Sequence, residues 1–379
     1  MKIGIDIRNI GKQRTGSEVV VLGLTKSILR LDGENEYFLF TDTGEKEVID
    51  AIRQKLEIGD EQKNVNIISL KARNKFVWAA WAVSSYLRKN DLDIYHAEYI
   101  LPFFLPKKIK AITHIHDVSF VVYRKLIKWS DALFLNTLIP LSIKRANKIV
   151  AVSEFTKKEI IRYYNVDPQK VEIVYNAVNK SDEEVQGVVG EELRRKYGLP
   201  EKYILYIGTL QPRKNVANLI QAYANIKDRI PGIKLVIAGN KKAHNFDEKI
   251  NKVVLENDLE KNVIFTGFVD EEDKMMMYKE SHVFAYPSLY EGFGIPVLEA
   301  MAQSIPVVSS DIEPLKEVCS EACLFFAPNN LDEMSQELYN VCMDDELRLR
   351  LVNSGKERVS FFSWKLSAKK MLEIYKNIK

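Results

Sequence analysis

The sequence predicts an α/β protein of two Rossmann-like, doubly wound domains facing across a cleft. Three observations carry that prediction. Short apolar runs alternate with amphipathic helical stretches, the pattern of parallel βα units. The alternation stops at a polar, acidic stretch without apolar period, residues 179–190, and then starts again. A chain of 379 residues is also long enough to bury two separate cores.

Taken in order, the opening Met1-Lys2-Ile3-Gly4-Ile5-Asp6 reads directly as a strand at 2–7. Further strands are expected at 37–40, 65–70, 94–96, 111–116, 149–152 and 171–174, with helices at 18–31, 76–89 and 156–164 between them. The second half predicts strands at 203–207, 234–238, 263–265, 283–285, 306–309 and 323–326. Its helices are expected at 216–226, 246–257, 271–280, 297–303 and 332–344. The domains are thus 1–178 and 179–361, the latter beginning with the linker. In open parallel sheets ligands bind beyond the carboxyl ends of the strands, so the cleft is the expected site.

Composition narrows the function. Hydrophobic residues make up 46% and charged residues 28% of the chain, as in ordinary globular proteins. The formal net charge is +3 with both signs interspersed, so no nucleic acid is expected as a partner. Cys319, Cys323 and Cys342 are too few and too clustered for a disulfide framework and read as small buried hydrophobes. No apolar run reaches the roughly 18 residues of a membrane span, and the expected location is cytoplasmic.

The most informative stretch is Pro287-Ser288-Leu289-Tyr290-Glu291-Gly292-Phe293-Gly294-Ile295-Pro296-Val297-Leu298-Glu299-Ala300. A strand ends in a loop with Gly292 and Gly294, and Pro296 suits the first turn of a helix. Glycines allow close approach of the backbone to a ligand, and a helix start favours an anion. Glu291 and Glu299 flank that site; carboxylates suit hydroxyls better than phosphate, so a sugar or ribose is indicated. A second stretch, Gly208-Thr209-Leu210-Gln211-Pro212-Arg213-Lys214-Asn215, follows the first strand of the second half and precedes a helix. There, Arg213 and Lys214 can clamp a diphosphate and stabilise the charge of a departing nucleotide.

In the first half, Thr113-His114-Ile115-His116-Asp117 ends a strand, and His114 and His116 share a face by period-two alternation. No acidic third ligand at suitable spacing supports a metal there, and none is expected. Gly16 and Ser17, after the first strand, can cap a helix and open its N-terminus toward the cleft. His96, His244 and His282 are read as structural.

Glu291 and Glu299, separated by seven residues within Glu-Gly-Phe-Gly-Ile-Pro-Val-Leu-Glu, resemble the Glu-x7-Glu motif of the retaining family 4 glycosyltransferases of GT-B fold. The resemblance extends over nearly the whole chain. It implies that Glu299 bonds the donor ribose. Glu291 would lie near the transferred sugar, with the amides of Phe293 and Gly294, beside Gly292 and Ile295, reaching sugar hydroxyls or phosphate. It places His116 and Asp117 at the cleft, with His116 on the donor sugar, and makes Arg213 and Lys214 the diphosphate pair beside Gly208 and Thr209. The loop Thr266-Gly267-Phe268-Val269 matches the one whose backbone meets the nucleobase, and residues 362–379 match a tail that packs back on the first domain. Ser153, in a strand-to-helix junction of the family, is a candidate cap. Three positions depart from the family pattern: Thr209 replaces a frequent arginine, Glu18 a frequent glycine, and Ala177 a glycine before the linker.

The resemblance implies a nucleoside-diphosphate sugar donor, GDP- or UDP-linked mannose or glucose, with no metal or other cofactor. A basic, aromatic stretch at 75–82 and another at 123–129 can lie on anionic lipid; that would suit a lipid-linked acceptor and peripheral contact with the inner face of the cell membrane. The other reading of Trp78 and Trp81 is core packing. Two alternative functions stay open. One is a nucleotide-sugar 2-epimerase on the same scaffold, which would consume donor without acceptor. The other is a nucleotide-sugar-binding protein without catalysis. A phosphorylase would need a pyridoxal-phosphate lysine, and no segment resembles that site.

Overall fold

The computed structural model describes residues 1–11, 16–73, 77–124, 129–178, 188–242 and 245–378. The chain divides into two compact units: Met1–Val122, Trp129–Ala177 and Phe362–Lys379 form one, Tyr123–Lys128 and Val178–Phe361 the other.

The first unit is built on seven parallel strands: β1 (Lys2–Asp6), β2 (Glu36–Thr41), β3 (Val65–Ser69), β4 (Ile94–Glu98), β5 (Lys110–Ile115), β6 (Lys148–Ala151) and β7 (Val171–Ile173). Their order is β3-β2-β1-β4-β5-β6-β7, so the winding reverses between β1 and β4. The second unit holds six parallel strands: β8 (Lys202–Ile207), β9 (Ile233–Ala238), β10 (Val263–Phe265), β11 (Val283–Tyr286), β12 (Val307–Ser310) and β13 (Leu324–Phe326). Their order is β10-β9-β8-β11-β12-β13, with the reversal between β8 and β11. Runs such as Tyr203-Ile204-Leu205-Tyr206 and Val283-Phe284-Ala285-Tyr286 are buried throughout. Helices cover both faces of such sheets, which is why these strands are apolar without alternation. A reversal of winding opens a crevice at the carboxyl ends of its two strands, so the loops after β1, β4, β8 and β11 hold the positions suited to ligands.

The C-terminal helix Trp364–Asn377 packs within the first unit against the helix Gly16–Leu31. Gly23 makes the close approach possible: a Cβ there would stand 2.3 Å from the Trp364 indole. Ser367 Oγ donates to the Tyr175 carbonyl at 2.6 Å, and the Tyr375 hydroxyl meets His96 Nδ1 at 2.8 Å. His96 therefore holds the last helix. His282 Nε2 meets the Cys342 carbonyl at 3.1 Å.

Several local expectations change. Residues 75 and 76 lie outside the described residues; from Val77 on, the helix expected at 76–89 contains a π-helix, Trp78–Ala82, and continues as an α-helix, Val83–Lys89. Hydrogen bonds from i to i+5 turn the chain less per residue, so positions three apart no longer share a face. Trp78 is accordingly buried in the core, whereas Trp81 is 64% exposed. The two tryptophans do not act alike. Residues 179–187 of the expected linker lie outside the described residues, as do His244, Lys12–Thr15 of the loop before Gly16 and Lys125–Lys128 of the second basic stretch; at the linker's far end, 188–190 already belong to the helix Val188–Tyr197. Helices at Lys46–Leu56, Trp129–Arg145, Glu313–Cys319 and Asp345–Val359 were not expected. Ser153 does cap its helix, its hydroxyl accepting from the Thr156 amide at 2.9 Å.

Candidate functional site

The second unit's crevice gathers charge from two loops. After β8 the chain turns through a 3-10 segment, Pro212–Lys214, closed by Asn215 in a left-handed conformation (φ 60°) whose side chain donates to the Pro328 carbonyl at 2.8 Å. This turn aims Arg213 and Lys214 at the loop after β11. Lys214 Nζ pairs with Glu291 Oε1 and donates to the Tyr286 hydroxyl at 3.1 Å. Arg213 Nη1 lies 3.6 Å from Glu291 Oε2 and donates to the Tyr290 carbonyl at 3.2 Å. The backbone joins the loops too, the Leu289 amide donating to the Arg213 carbonyl at 2.8 Å. Burial alone would raise the Glu291 carboxyl, but Lys214 and Arg213 more than offset it and hold it at about 2. The result is a buried, doubly positive, singly negative cluster at the reversal between β8 and β11.

Four residues further on, the helix Ile295–Ala302 starts from Gly294, with Pro296 in its first turn. Gly294 has φ 106°, a conformation that favours glycine, and a Cβ there would stand 2.5 Å from the tip of the Leu315 side chain. Gly292 and Phe293 are buried beside Glu291. Glu299, one turn into the helix, is buried against the helix Glu271–Lys279. Lys274 Nζ donates to its Oε1 at 2.6 Å and the Tyr278 hydroxyl to its Oε2 at 2.9 Å. Burial opposes the charge on Lys274, yet Glu299 and Glu271 together hold its pKa above the ordinary lysine value. Two of the four acceptor positions of the Glu299 carboxylate are thereby used, leaving two for other hydroxyls.

Other expected donor residues are placed as follows. Gly208 lies at the end of β8 with its amide on the Ala238 carbonyl at 3.0 Å, and Thr209 is exposed, its carbonyl accepting from the Tyr206 hydroxyl at 2.8 Å. Val269 is half-buried after β10, and Gly16 is exposed at the start of the helix Gly16–Leu31.

In the first unit, His116 and Asp117 follow β5. His116 Nε2 bonds Glu98 Oε1 at the end of β4, and Glu98 Oε2 accepts from Asn9 Nδ2 after β1. Asp117 Oδ1 accepts from the Ser119 amide at 2.8 Å. The rings of His96, His114 and His116 form a stack, with centroids 5.6 and 5.0 Å apart. Burial keeps His114 neutral, well below the ordinary histidine range, and pushes His96 down to about 3. A cavity of about 20 Å³, lined by Asp6, Thr25, His96, Glu98 and His114 among others, has room for a water molecule but not for a nucleotide.

Among the described residues, no three His, Cys, Asp or Glu side chains gather where they could hold a metal ion. Cys319, Cys323 and Cys342 are buried and unbridged. Lys274, Tyr278, Tyr286, Glu98 and Tyr99 escaped the sequence reading. Lys274 and Tyr278 share a helix face, being four apart, but nothing in the sequence joins that face to Glu299.

Set against known proteins, residues 14–182 match the family described as Glycosyltransferase Family 4, and residues 189–358 match Glycosyl transferases group 1. The chain is 32% identical over 305 residues to O-antigen chain mannosyltransferase B of Escherichia coli, covering 78% of this chain and 76% of that protein. Its fold is similar to that of sucrose-phosphate synthase from Thermosynechococcus elongatus (TM-score 0.76, 19% identity, 99% and 98% of the two chains). It is also similar to Anabaena HepE in complex with UDP and glucose (TM-score 0.73, 15% identity, 99% of each chain).

The buried cluster predicts an acid-dependent stability difference. Lys214→Met removes the nearer cation of Glu291, leaving Arg213 at 3.6 Å, and should cost about 3–5 kcal/mol at neutral pH. Because the folded-state pKa of Glu291 is lowered from 4.5 to about 2, its contribution is complete above the unfolded value and declines as pH falls through that interval. Urea unfolding of wild type and variant should show a gap that narrows below about pH 4.5. A gap independent of pH would contradict the assignment.

Proposed function

The chain belongs to the group 1 glycosyl transferases, with the two-domain GT-B fold, and on that premise we propose that it is a retaining hexosyltransferase. It would move mannose or glucose from a GDP- or UDP-sugar to a hydroxyl of a glycan or lipid-linked acceptor, in the cytoplasm, during cell-surface polysaccharide synthesis. The observation that carries this reading is the pairing of Arg213 and Lys214 with a buried carboxylate at the β8–β11 reversal. The mannosyltransferase named among the relatives supports the sugar and the biosynthetic setting.

In this reading the diphosphate lies against Arg213, Lys214 and the start of the helix Ile295–Ala302, with Gly292, Phe293, Gly294 and Ile295 close to it. Its ribose hydroxyls use the two remaining acceptor positions of Glu299, while Gly208, Thr209 and Val269 approach the nucleotide through backbone atoms. Glu291, fixed by its cations, lies near the transferred sugar; in the first unit, His116 with Asp117 offers a contact to a sugar hydroxyl, and Gly16 opens a helix start. The acceptor attacks from the face the nucleotide leaves, and the departing phosphate takes the acceptor proton. Arg213 and Lys214 serve as the charge partners of the leaving group, with no cofactor or metal ion in the site.

The test is a transfer assay with nucleotide sugars and acceptor glycans in the presence of EDTA, the product's anomeric configuration read by NMR. The expected product keeps the donor's configuration, and Arg213→Ala lowers kcat by about 10²–10³. An inverted product, or donor consumed without acceptor, would overturn the reading, the latter in favour of an epimerase.

We also propose peripheral membrane contact through the first unit. Trp81, Phe104 and Leu141 are 64%, 49% and 56% exposed, and the Trp81 and Phe104 rings lie 6.1 Å apart. The Arg88 guanidinium covers the Phe104 ring at 5.4 Å, and Lys107, Lys108, Lys144 and Arg145 are exposed on the same or neighbouring segments. Among the described residues no helix is long and apolar enough to cross a membrane; aromatic side chains with basic neighbours suit attachment to an anionic surface. The chain should sediment with phosphatidylglycerol-containing vesicles and not with pure phosphatidylcholine. Joint Trp81→Ala and Phe104→Ala substitution should leave it in the supernatant; equal sedimentation of both proteins would remove the proposal.

A further inference from the structure

Glu98 ends β4, which lies between β1 and β5, and it is aligned with His114 of β5. Its Oε2 accepts from Asn9 Nδ2, in the loop after β1, and its Oε1 bonds His116 Nε2 beyond β5. It is the point where three strand ends meet at the winding reversal of the first sheet. Both side chains of the pair are largely buried, 13% exposed for His116 and 12% for Glu98.

The neighbours hold the His116 ring between them. His114 stacks on it with centroids 5.0 Å apart and planes within 22°, and the Tyr99 ring lies at 5.5 Å. Tyr99 has φ 54°, a left-handed conformation that is strained for a bulky residue. That conformation turns the chain immediately after Glu98 and lets the Tyr99 hydroxyl accept the Asp117 amide at 3.2 Å. Thr156 Oγ1 donates to the His116 carbonyl at 3.4 Å. Successive residues, Glu98 and Tyr99, thus grip successive residues, His116 and Asp117. A structural histidine needs no such arrangement; His96, deeper in the same stack, is held by one tyrosine.

The chemistry of the partners fixes the proton. A carboxylate only accepts, so His116 must donate from Nε2. In a neutral imidazole the other nitrogen is then an acceptor. We propose that Glu98 is the positioning residue of His116, holding its ring as the Nε2–H tautomer and leaving Nδ1 to accept a hydroxyl of the sugar substrate. The proposal rests on the placement of His116 at the sugar in the preceding section. The buried, neutral His114 beneath it adds no charge that would compete for the Glu98 carboxylate.

The experiment uses the full chain with ¹⁵N-labelled histidine, at about pH 8 where an ordinary imidazole is neutral. His116, assigned through His116→Ala, should report the Nε2–H tautomer in wild type and in Glu98→Gln, which keeps an acceptor oxygen. In Glu98→Leu the signal should move toward the Nδ1–H form. In the transfer assay Glu98→Leu should lose about 10²-fold in kcat, the scale of a misplaced reacting group. Its donor KM should stay within about twofold, and Glu98→Gln should recover most of the loss. An unchanged tautomer in Glu98→Leu overturns the proposal, and so does unchanged kcat. Wild-type turnover by His116→Ala would instead overturn the role of His116, while the tautomer measurement would still decide that of Glu98.

Discussion

A carboxylate shut away from water needs cations in contact, and Glu291 imposes that demand on the second unit. Its partners come from a loop 77 residues earlier in the chain, so the loops after β8 and β11 are held together by the same charges that make the site. The backbone bond from Leu289 to Arg213 and the left-handed turn at Asn215 serve the same alignment. A single carboxylate facing two cations also leaves the cluster with net positive charge. An anion reaching it meets cations already oriented, with little reorganisation left to do.

Glu299 shows the complementary balance. Lys274 and Tyr278 neutralise and orient it, but they do not saturate its oxygens. In the proposed function, cations directed at a diphosphate and a carboxylate kept for hydroxyls would separate the two chemical halves of a nucleotide. The first unit repeats the device in another form, with Glu98 bonded on one side to Asn9 and on the other to His116. In all three places a carboxylate couples segments that the sheet topology brings together but the sequence keeps apart.

That separation explains what was legible in the sequence. Strands buried on both faces are largely apolar, and every expected strand is present with ends shifted by a residue or two. Trp129–Arg145 was missed because Pro140 interrupts it and apolar residues surround it. Asp345–Val359 was missed for the opposite reason, its charges hiding a narrow buried stripe of Leu351, Gly355 and Val359. The π-helix at Trp78–Ala82 has no compositional signature, and it decided the different fates of the two tryptophans. Arg213, Lys214, Glu291 and Glu299 were legible because turn, strand and helix signals flank them. Their partners were not: Lys274 and Tyr278 stand 25 and 21 residues from Glu299, and Glu98 stands 18 from His116. Such pairs are set by register, as when β4 and β5 align Glu98 with His114 and bring it beside His116.

The central claim is that the second unit's buried charges form a nucleoside-diphosphate site, and calorimetric titration of the full chain with UDP and GDP tests it most directly. The account predicts that one of the two binds and that Glu299→Ala weakens it at least tenfold, about 1.4 kcal/mol. Binding of neither nucleotide, or equal affinity in the variant, would contradict it.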